Sequence, residues 1–214
     1  MKKVKEYPKK VTNYSKIILK VALLNSPTNL YLCGIISNFN KMTFNLQPTL
    51  ENDLLIVRPL QEDDFENLFK VASDPLIWEL HPAKERSTRE GFETFFKEAK
   101  ATKSAFVAID KKTGDLIGTS RYNRVPETDN AIEIGWTFLA RAYWGGTYNQ
   151  SMKKLMMDYA FQYVNNILFF INEKNFRSRK AVEKIWGVHI VALEGKMIDP
   201  RSPVGVIYKV SKKG

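Results

Sequence analysis

From Met152 to Val164 one face of the chain is apolar without a break. Met152, Leu155, Met156, Tyr159, Ala160, Tyr163 and Val164 fall at i, i+3, i+4, i+7, i+8, i+11 and i+12, the spacing that lines side chains along one stripe of an α-helix. Such a stripe has to be covered by a sheet or by other helices. Gly145 and Gly146 stand directly before this helix, after the strand-like AIEIGWTFL at 131–139. The run ILFFI at 167–171 follows it at strand length and is apolar throughout, as expected of a strand covered on both faces.

The remaining elements are placed by period and by punctuation. LLIVRPL at 54–60 reads as a strand ended by Pro59, whose missing N–H interrupts a ladder. EDDFENLFKVA then sets acids at a helix N-terminus, with Phe65, Leu68, Phe69 and Ala72 at helical spacing. Ser87 and Glu90 have the serine-x-x-glutamate spacing of a capping box, heading a second helix that carries Phe92, Phe95, Phe96 and Ala99. SAFVAID and LIGTSRY form a hairpin across KKTGD, with Gly114 available for a positive φ. A loop holding Pro126 leads to the strand at 131–139. Beyond ILFFI, NEKNFRSRKAVEKIWG reads as a loop and short helix closed by Gly187, and VHIVALEGKMI pairs with VGVIYKV across DPRSP. The expected fold is a single α+β domain with a mixed sheet, spanning 42–214 with its core over 54–210.

Charge and composition remove several functions. The net charge is +10, but residues 1–41 hold eight lysines against Glu6, which is +7, so only +3 is left for residues 42–214. A nucleic-acid surface would need that charge on the domain itself, so no nucleic-acid partner is expected. In the basic stretch, IILKVALL at 17–24 contains Lys20 and is stopped by Asn25, Ser26 and Pro27, well short of the ~20 residues that span a bilayer. No membrane partner is expected either. Lysines ahead of an apolar stretch imitate a secretion signal, but no clean small-residue cleavage site follows. Residues 1–41 are therefore read as an extension outside the core, with Met42 as the natural start. Cys33 is the single cysteine, and His81 and His189 lie far apart. No disulfide framework or metal site is expected, and a reducing, cytoplasmic setting fits.

The glycine pair carries two readings. Backbone amides at a strand-to-helix joint can point outward, and the helix N-terminus adds about half a positive charge, which suits a phosphate. Taken alone, the pair favours a tight turn, because its spacing matches neither a Walker loop nor a dinucleotide fingerprint.

Taken in order, LIVRPLQEDDFENLF, LIGTSRY, IEIGWTFLARAYWGGTYNQSMKKLMMDYAF and NFRSRKAVEKIWG resemble the GNAT superfamily of acyl-CoA-dependent N-acetyltransferases. Its branch of ribosomal-protein N-terminal (alanine or serine) acetyltransferases is the most similar, over about 54–210. The resemblance implies a three-layer α/β fold: a mostly antiparallel sheet of six to seven strands, splayed in a V between the fourth and fifth, with helices on both faces. It also implies acetyl-CoA as co-substrate without a metal, and direct transfer to an amine acceptor, either a small molecule or a peptide N-terminus. A monomer or homodimer is expected, and a non-catalytic acyl-CoA-binding or protein-interaction module on the same fold is the alternative.

Residue roles follow from the same resemblance. The branch usually reads tryptophan-glycine-x-glycine-tyrosine-alanine at its pyrophosphate loop. Trp144, Gly145 and Tyr148 match, whereas Thr147 stands at the second glycine and Asn149 at a small residue. Gly146 is then expected to supply the permissive backbone, with Thr147 or Asn149 capping the helix. The backbone of Phe138 and Leu139 is the expected contact for the pantetheine arm. Asn175 and Ser178 match an asparagine-x-x-serine motif, Asn175 as pantetheine contact or simple N-cap and Ser178 as the acid for the leaving thiolate. Val182 occupies the position where many members carry a tyrosine acid, and Trp186 the one where the branch ends its helix with glycine.

How strong a base is needed depends on the acceptor. A lysine amine of pKa about 10.4 is only about one part in two thousand neutral near pH 7, while an α-amino group of pKa about 7.7 to 8 is roughly 10 to 15 per cent neutral. Glu133, alternating with Gly135 and Thr137 along its strand, is the candidate base, or else a charge on a partly solvated strand. Trp78 and His81 are candidates for the acceptor pocket, against core packing for the first and a surface role for the second. Arg121 and Arg124 are candidates for an acidic acceptor or the phosphates, with solvated charge as the default for a loop-edge arginine, and Lys153 and Lys154 are expected to be solvated.

Overall fold

The computed structural model describes residues 44–125, 130–190 and 205–213. The basic stretch at 1–41, Pro126, and residues 191–204, which hold the whole expected DPRSP turn and most of the strand before it, lie outside the described residues.

Among the described residues eight strands form one sheet in the order β1-β2-β3-β4-β5-β6-β8-β7. They are β1 (Leu50–Glu51), β2 (Leu55–Pro59), β3 (Ala105–Asp110), β4 (Leu116–Arg124), β5 (Ala131–Leu139), β6 (Asn166–Asn172), β7 (Val188–Ile190) and β8 (Gly205–Ser211). Among the described residues every pairing is antiparallel except β5 with β6. The expected three-layer mixed sheet is therefore present with one strand more than counted, because two-residue β1 is too short to show a period. Packed residues also begin before Leu54: Phe44 stacks on Tyr163 with ring centroids 4.7 Å apart.

Helices α1 (Phe65–Ala72), α2 (Arg89–Ala101), α3 (Thr147–Ala160) and α4 (Phe176–Glu183) cover the sheet. On one face, Leu68, Phe92 and Phe96 of α1 and α2 pack with Val107 and Phe138. On the other, Met152 and Met156 of α3 and Val182 of α4 pack with Ile117, Ile132, Ile134 and Tyr208. Burying each large apolar side chain contributes about 1.5–3 kcal/mol, so this double cladding holds the sheet. Tyr122, fully buried on β4, adds a polar tie by donating its hydroxyl to the Met156 carbonyl of α3.

Two helix ends differ from expectation. The cap of α2 is Thr88, whose Oγ1 accepts from Gly91 N at 3.2 Å. Ser87 sits in the preceding 3-10 turn and donates to Lys84 O instead, because that turn occupies the residues the capping box would have used. After α4 the left-handed residue is Trp186, at φ 65°, and not Gly187. Gly187 is needed for room: a Cβ there would lie 2.4 Å from Val182 Cγ1.

The position of the site follows from how β5 leaves β6. Their parallel pairing covers Ala131, Ile132 and Glu133 and then ends, although β5 continues to Leu139. The fourth and fifth expected strands, here β5 and β6, thus splay as the resemblance implied. At the same place β5 bulges: Thr119 pairs with Phe138 and Arg121 with Gly135, so two β5 residues oppose one on β4. Trp136 takes φ 50° in this bulge, a conformation uncommon for a bulky residue.

Candidate functional site

The splay opens a cleft of about 1740 Å³ bordered by the free edge of β5, by β6, and by the N-terminal ends of α3 and α4. At its α3 end, Gly145 takes φ 71° and Gly146 is the N-cap, with extended backbone at φ −93° and ψ −162°. Neither glycine has an atom within 4 Å of where a Cβ would stand. No side chain caps the helix and no acid lies in its first turn, so its N-terminal amides and positive dipole end are available for an anion. Thus Gly145, and not Gly146, supplies the left-handed position, and neither Thr147 nor Asn149 is the cap. The reason is geometric: the chain turns one residue earlier, leaving Thr147 as the first helical residue.

Around this turn the aromatic residues brace the loop. Trp144 donates its indole N–H to Leu139 O at 2.8 Å, and the Arg177 guanidinium lies 4.0 Å over its ring. Arg177 also donates to Ile77 O at 2.6 Å, tying the head of α4 to the 3-10 turn Pro75–Trp78. Tyr148 turns away from the cleft to Asp110, whose carboxylate accepts from Tyr148 at 3.0 Å and from Tyr143 at 3.1 Å. The backbone N–H of Lys112 and these two phenols hold the Asp110 carboxyl below the usual range.

The structure brings most of the sequence candidates to one cleft. Glu133, Phe138, Leu139 and Ser178 border it, as do Trp144, Gly145, Gly146, Asn149 and Asn175. Thr147 and Tyr148 do not. Trp78 and His81 border it too. Trp78 is also core, 3% exposed with its indole N–H on Ala72 O at 2.7 Å, and it packs edge-on against His81. His81 Nδ1 accepts from Ala83 N at 3.0 Å. Asn175 is the N-cap of α4, its Oδ1 accepting from Ser178 N at 3.1 Å. Of the two backbone candidates, the Leu139 carbonyl already takes the Trp144 indole, and the Phe138 carbonyl faces Gly118 of β4.

A family model described as Acetyltransferase (GNAT) domain matches residues 55–185. The chain belongs to the GNAT acetyltransferase family. By that membership it is an acyltransferase. It is similar to protein YkkB of Bacillus subtilis (strain 168), at 29% identity over 154 residues, 68% of this chain and 87% of that one. A GCN5-related N-acetyltransferase from Brucella melitensis has the same fold, with TM-score 0.66 and 19% identity over 77% of this chain and 79% of its own. So does Mycobacterium smegmatis RimJ in complex with CoA-disulfide, with TM-score 0.55 and 13% identity over 77% and 86%.

Within this GNAT domain two cations expected in solvent are buried instead, and one of them, Lys153, borders the cleft. Arg121 is 5% exposed, with its guanidinium 3.6 Å over the Trp136 ring in the bulge. Lys153 is 4% exposed and donates to Thr137 Oγ1 and to Ser120 Oγ. Burial brings its ammonium down from its ordinary 10.5 to about 7, with the Glu133 carboxylate opposing. Lys154, in contrast, is exposed and pairs with Asp158. The bulge at Trp136 also ends the expected alternation: Thr137 turns to the α3 side, whereas Phe138 packs with α2 on the other. Glu133 stays at the splay, 8% exposed, with Oε2 accepting from Asn123 Nδ2 at 2.9 Å. A Cβ at position 135 would meet Glu133 Oε1 at 2.9 Å, so Gly135 makes room for that carboxylate.

The one available sequence signal for Lys153 is Met157. It lies outside the seven-residue stripe yet is 4% exposed, while Leu155, Tyr159 and Tyr163 are only partly buried. The buried face of α3 is rotated toward Lys153 and Met157.

Proposed function

We propose that this acyltransferase moves an acetyl group from acetyl-CoA to a primary amine by direct attack within the cleft. The carrying observation is the continuity of the open β5 edge beyond Glu133 with the uncapped head of α3. In this reading the pyrophosphate takes main-chain amides at Gly145 and Gly146 and at the start of the helix. The pantetheine arm runs along β5 at Phe138 and Leu139, which places the thioester near the splay. The neighbour crystallised with CoA-disulfide shares this fold, which supports CoA as the carrier. Asn175 fixes the head of α4, and Ser178 beside it is the hydroxyl for the departing sulfur. Glu133 is the carboxylate at the splay toward which the amine sheds its proton, and Trp78 and His81 flank the acceptor. The setting we infer is the cytoplasm, on the strength of a sequence with one cysteine.

The test is to incubate the protein with acetyl-CoA and pools of peptides, polyamines and small amines while following free thiol. Amine-dependent thiol release is expected. Saturable acetyl-CoA binding without release across the panel would instead favour a binding module.

A further inference from the structure

Lys153 is a buried cation that the reading above does not use. Its Nζ donates to Ser120 Oγ at 3.1 Å and to Thr137 Oγ1 at 2.5 Å, and it stands 5.6 Å from the Phe169 ring centroid. The two hydroxyls are themselves 2.9 Å apart. Ser120 is fully buried, while Thr137 is half-buried and borders the cleft. Each strand packed against the amine presents a group to it: Ser120 from β4, Thr137 and the Glu133 charge from β5, and the Phe169 ring from β6. Among the described residues no carboxylate lies within ion-pair distance of Nζ. Burying an ammonium this way is costly, and an apolar side chain of similar length would serve packing alone.

We propose that Lys153 is the proton shuttle of the transfer reaction, working through the Thr137 hydroxyl to which it donates at the border of the cleft. This deepens the acetyl-transfer reading and rests on it. When Nζ is neutral, its lone pair is directed to the same hydroxyls to which the ammonium donates. The acceptor, once its ammonium has shed a first proton toward Glu133, bonds through nitrogen to the thioester carbon and gives up a second proton to Thr137 Oγ1, as Thr137 passes its own proton to Nζ. The carbon–sulfur bond then breaks with its electron pair on sulfur. The proton returns by the same path to the thiolate, toward which the Ser178 hydroxyl donates a hydrogen bond, leaving free CoA, the acetylated amine and a neutral lysine. An amine that titrates near neutral pH suits both halves of this cycle, and burial has brought Nζ to about 7.

The experiment has two arms on the full-length protein. In the first, Lys153→Met, Lys153→Arg, Thr137→Val and, as control, the exposed Lys154→Met are assayed with acetyl-CoA and the amine that releases thiol fastest. Lys153→Met is expected to lower kcat by about a hundredfold or more, to leave the KM for acetyl-CoA unchanged, and to abolish the acid limb of kcat near pH 7. Thr137→Val should shift the same limb with a smaller loss. Lys153→Arg should be as poor as methionine, since guanidinium does not give up its proton. Lys154→Met should match wild type. In the second arm, 13C-labelled lysine side chains are titrated by NMR. One signal titrating near pH 7, absent from Lys153→Met, is expected. A Lys153 signal titrating near 10, an unchanged kcat and pH profile in Lys153→Met, or full activity in Lys153→Arg would each overturn the shuttle while leaving acetyl transfer standing. Wild-type protein that binds acetyl-CoA yet releases no thiol with any amine would overturn the acetyl-transfer reading and the shuttle with it.

Discussion

Helix α3 meets the cleft twice, and the two meetings are opposites. At its head, Gly145 and Gly146 offer bare backbone with open space where side chains would stand. Two turns further along, Lys153 meets the cleft as a long side chain, closed in by Ser120, Thr137 and Phe169. The open end suits a group that arrives and leaves as a whole, because amides and a helix dipole hold an anion without rearranging. The closed end suits a proton, because there a titratable amine is kept out of water and burial has brought it from its ordinary 10.5 to about 7. On the proposed mechanism, one element divides binding from chemistry by depth alone.

The largest effect that would break this contrast is at the closed end. Below pH 7 Lys153 is protonated both folded and unfolded, so the folded protein bears the full cost of a buried ammonium, on the order of a few kcal/mol. Between pH 7 and about 10.5 only the unfolded chain holds that proton, so wild-type stability rises with pH on this account. Lys153→Met lacks this dependence. Its Tm relative to wild type should be most favourable near pH 6 and decline steadily toward pH 10, and parallel Tm curves would show that Lys153 titrates as an ordinary lysine.

At the open end, Gly146→Val should weaken acetyl-CoA binding by roughly tenfold, ~1.4 kcal/mol. Its extended backbone accepts valine and nothing obstructs a side chain, so Tm should hardly move. Calorimetric titration beside a thermal melt separates the two, and equal losses would make the loop only a turn. Next, Asn175→Ala removes the cap of α4 and should cost about 1 kcal/mol, a drop of roughly 2–4 °C for a domain of this size. An additional loss of CoA affinity would give Asn175 a binding role beyond capping. Smallest is Trp186→Gly. The tryptophan is 68% exposed and left-handed, so glycine should raise stability by about 1 kcal/mol, readable by urea unfolding.

Much of the fold was legible because it depends on local periods. The stripe of α3, the strands at 131–139 and 167–171, and the hairpin across KKTGD are each specified by their own residues. The members of the cleft were legible mainly from the order of motifs, which singled out Glu133, Trp144, Asn175 and Ser178, all of which border it. What stayed hidden lay where one residue's shift changes the outcome. Thr88 replaced Ser87 as cap because a 3-10 turn used Ser87. Gly145 replaced Gly146 as the left-handed position because the helix began at Thr147. Arg121 looked like a loop-edge charge, yet the bulge placed the Trp136 ring over it.

The sequence alone determined that α3 is amphipathic, that a strand flanks it on either side, and that glycines precede it, since these are properties of neighbours along the chain. It could not determine the fate of Lys153, which lies one residue past Met152 at the margin of the stripe, where helical period permits either solvent or core. That was decided by β5, which bulges at Trp136, turns Thr137 toward α3, and parts from β6 after Glu133. The space that receives the lysine exists only once these strands are assembled, so burial and the titration that follows from it are tertiary properties.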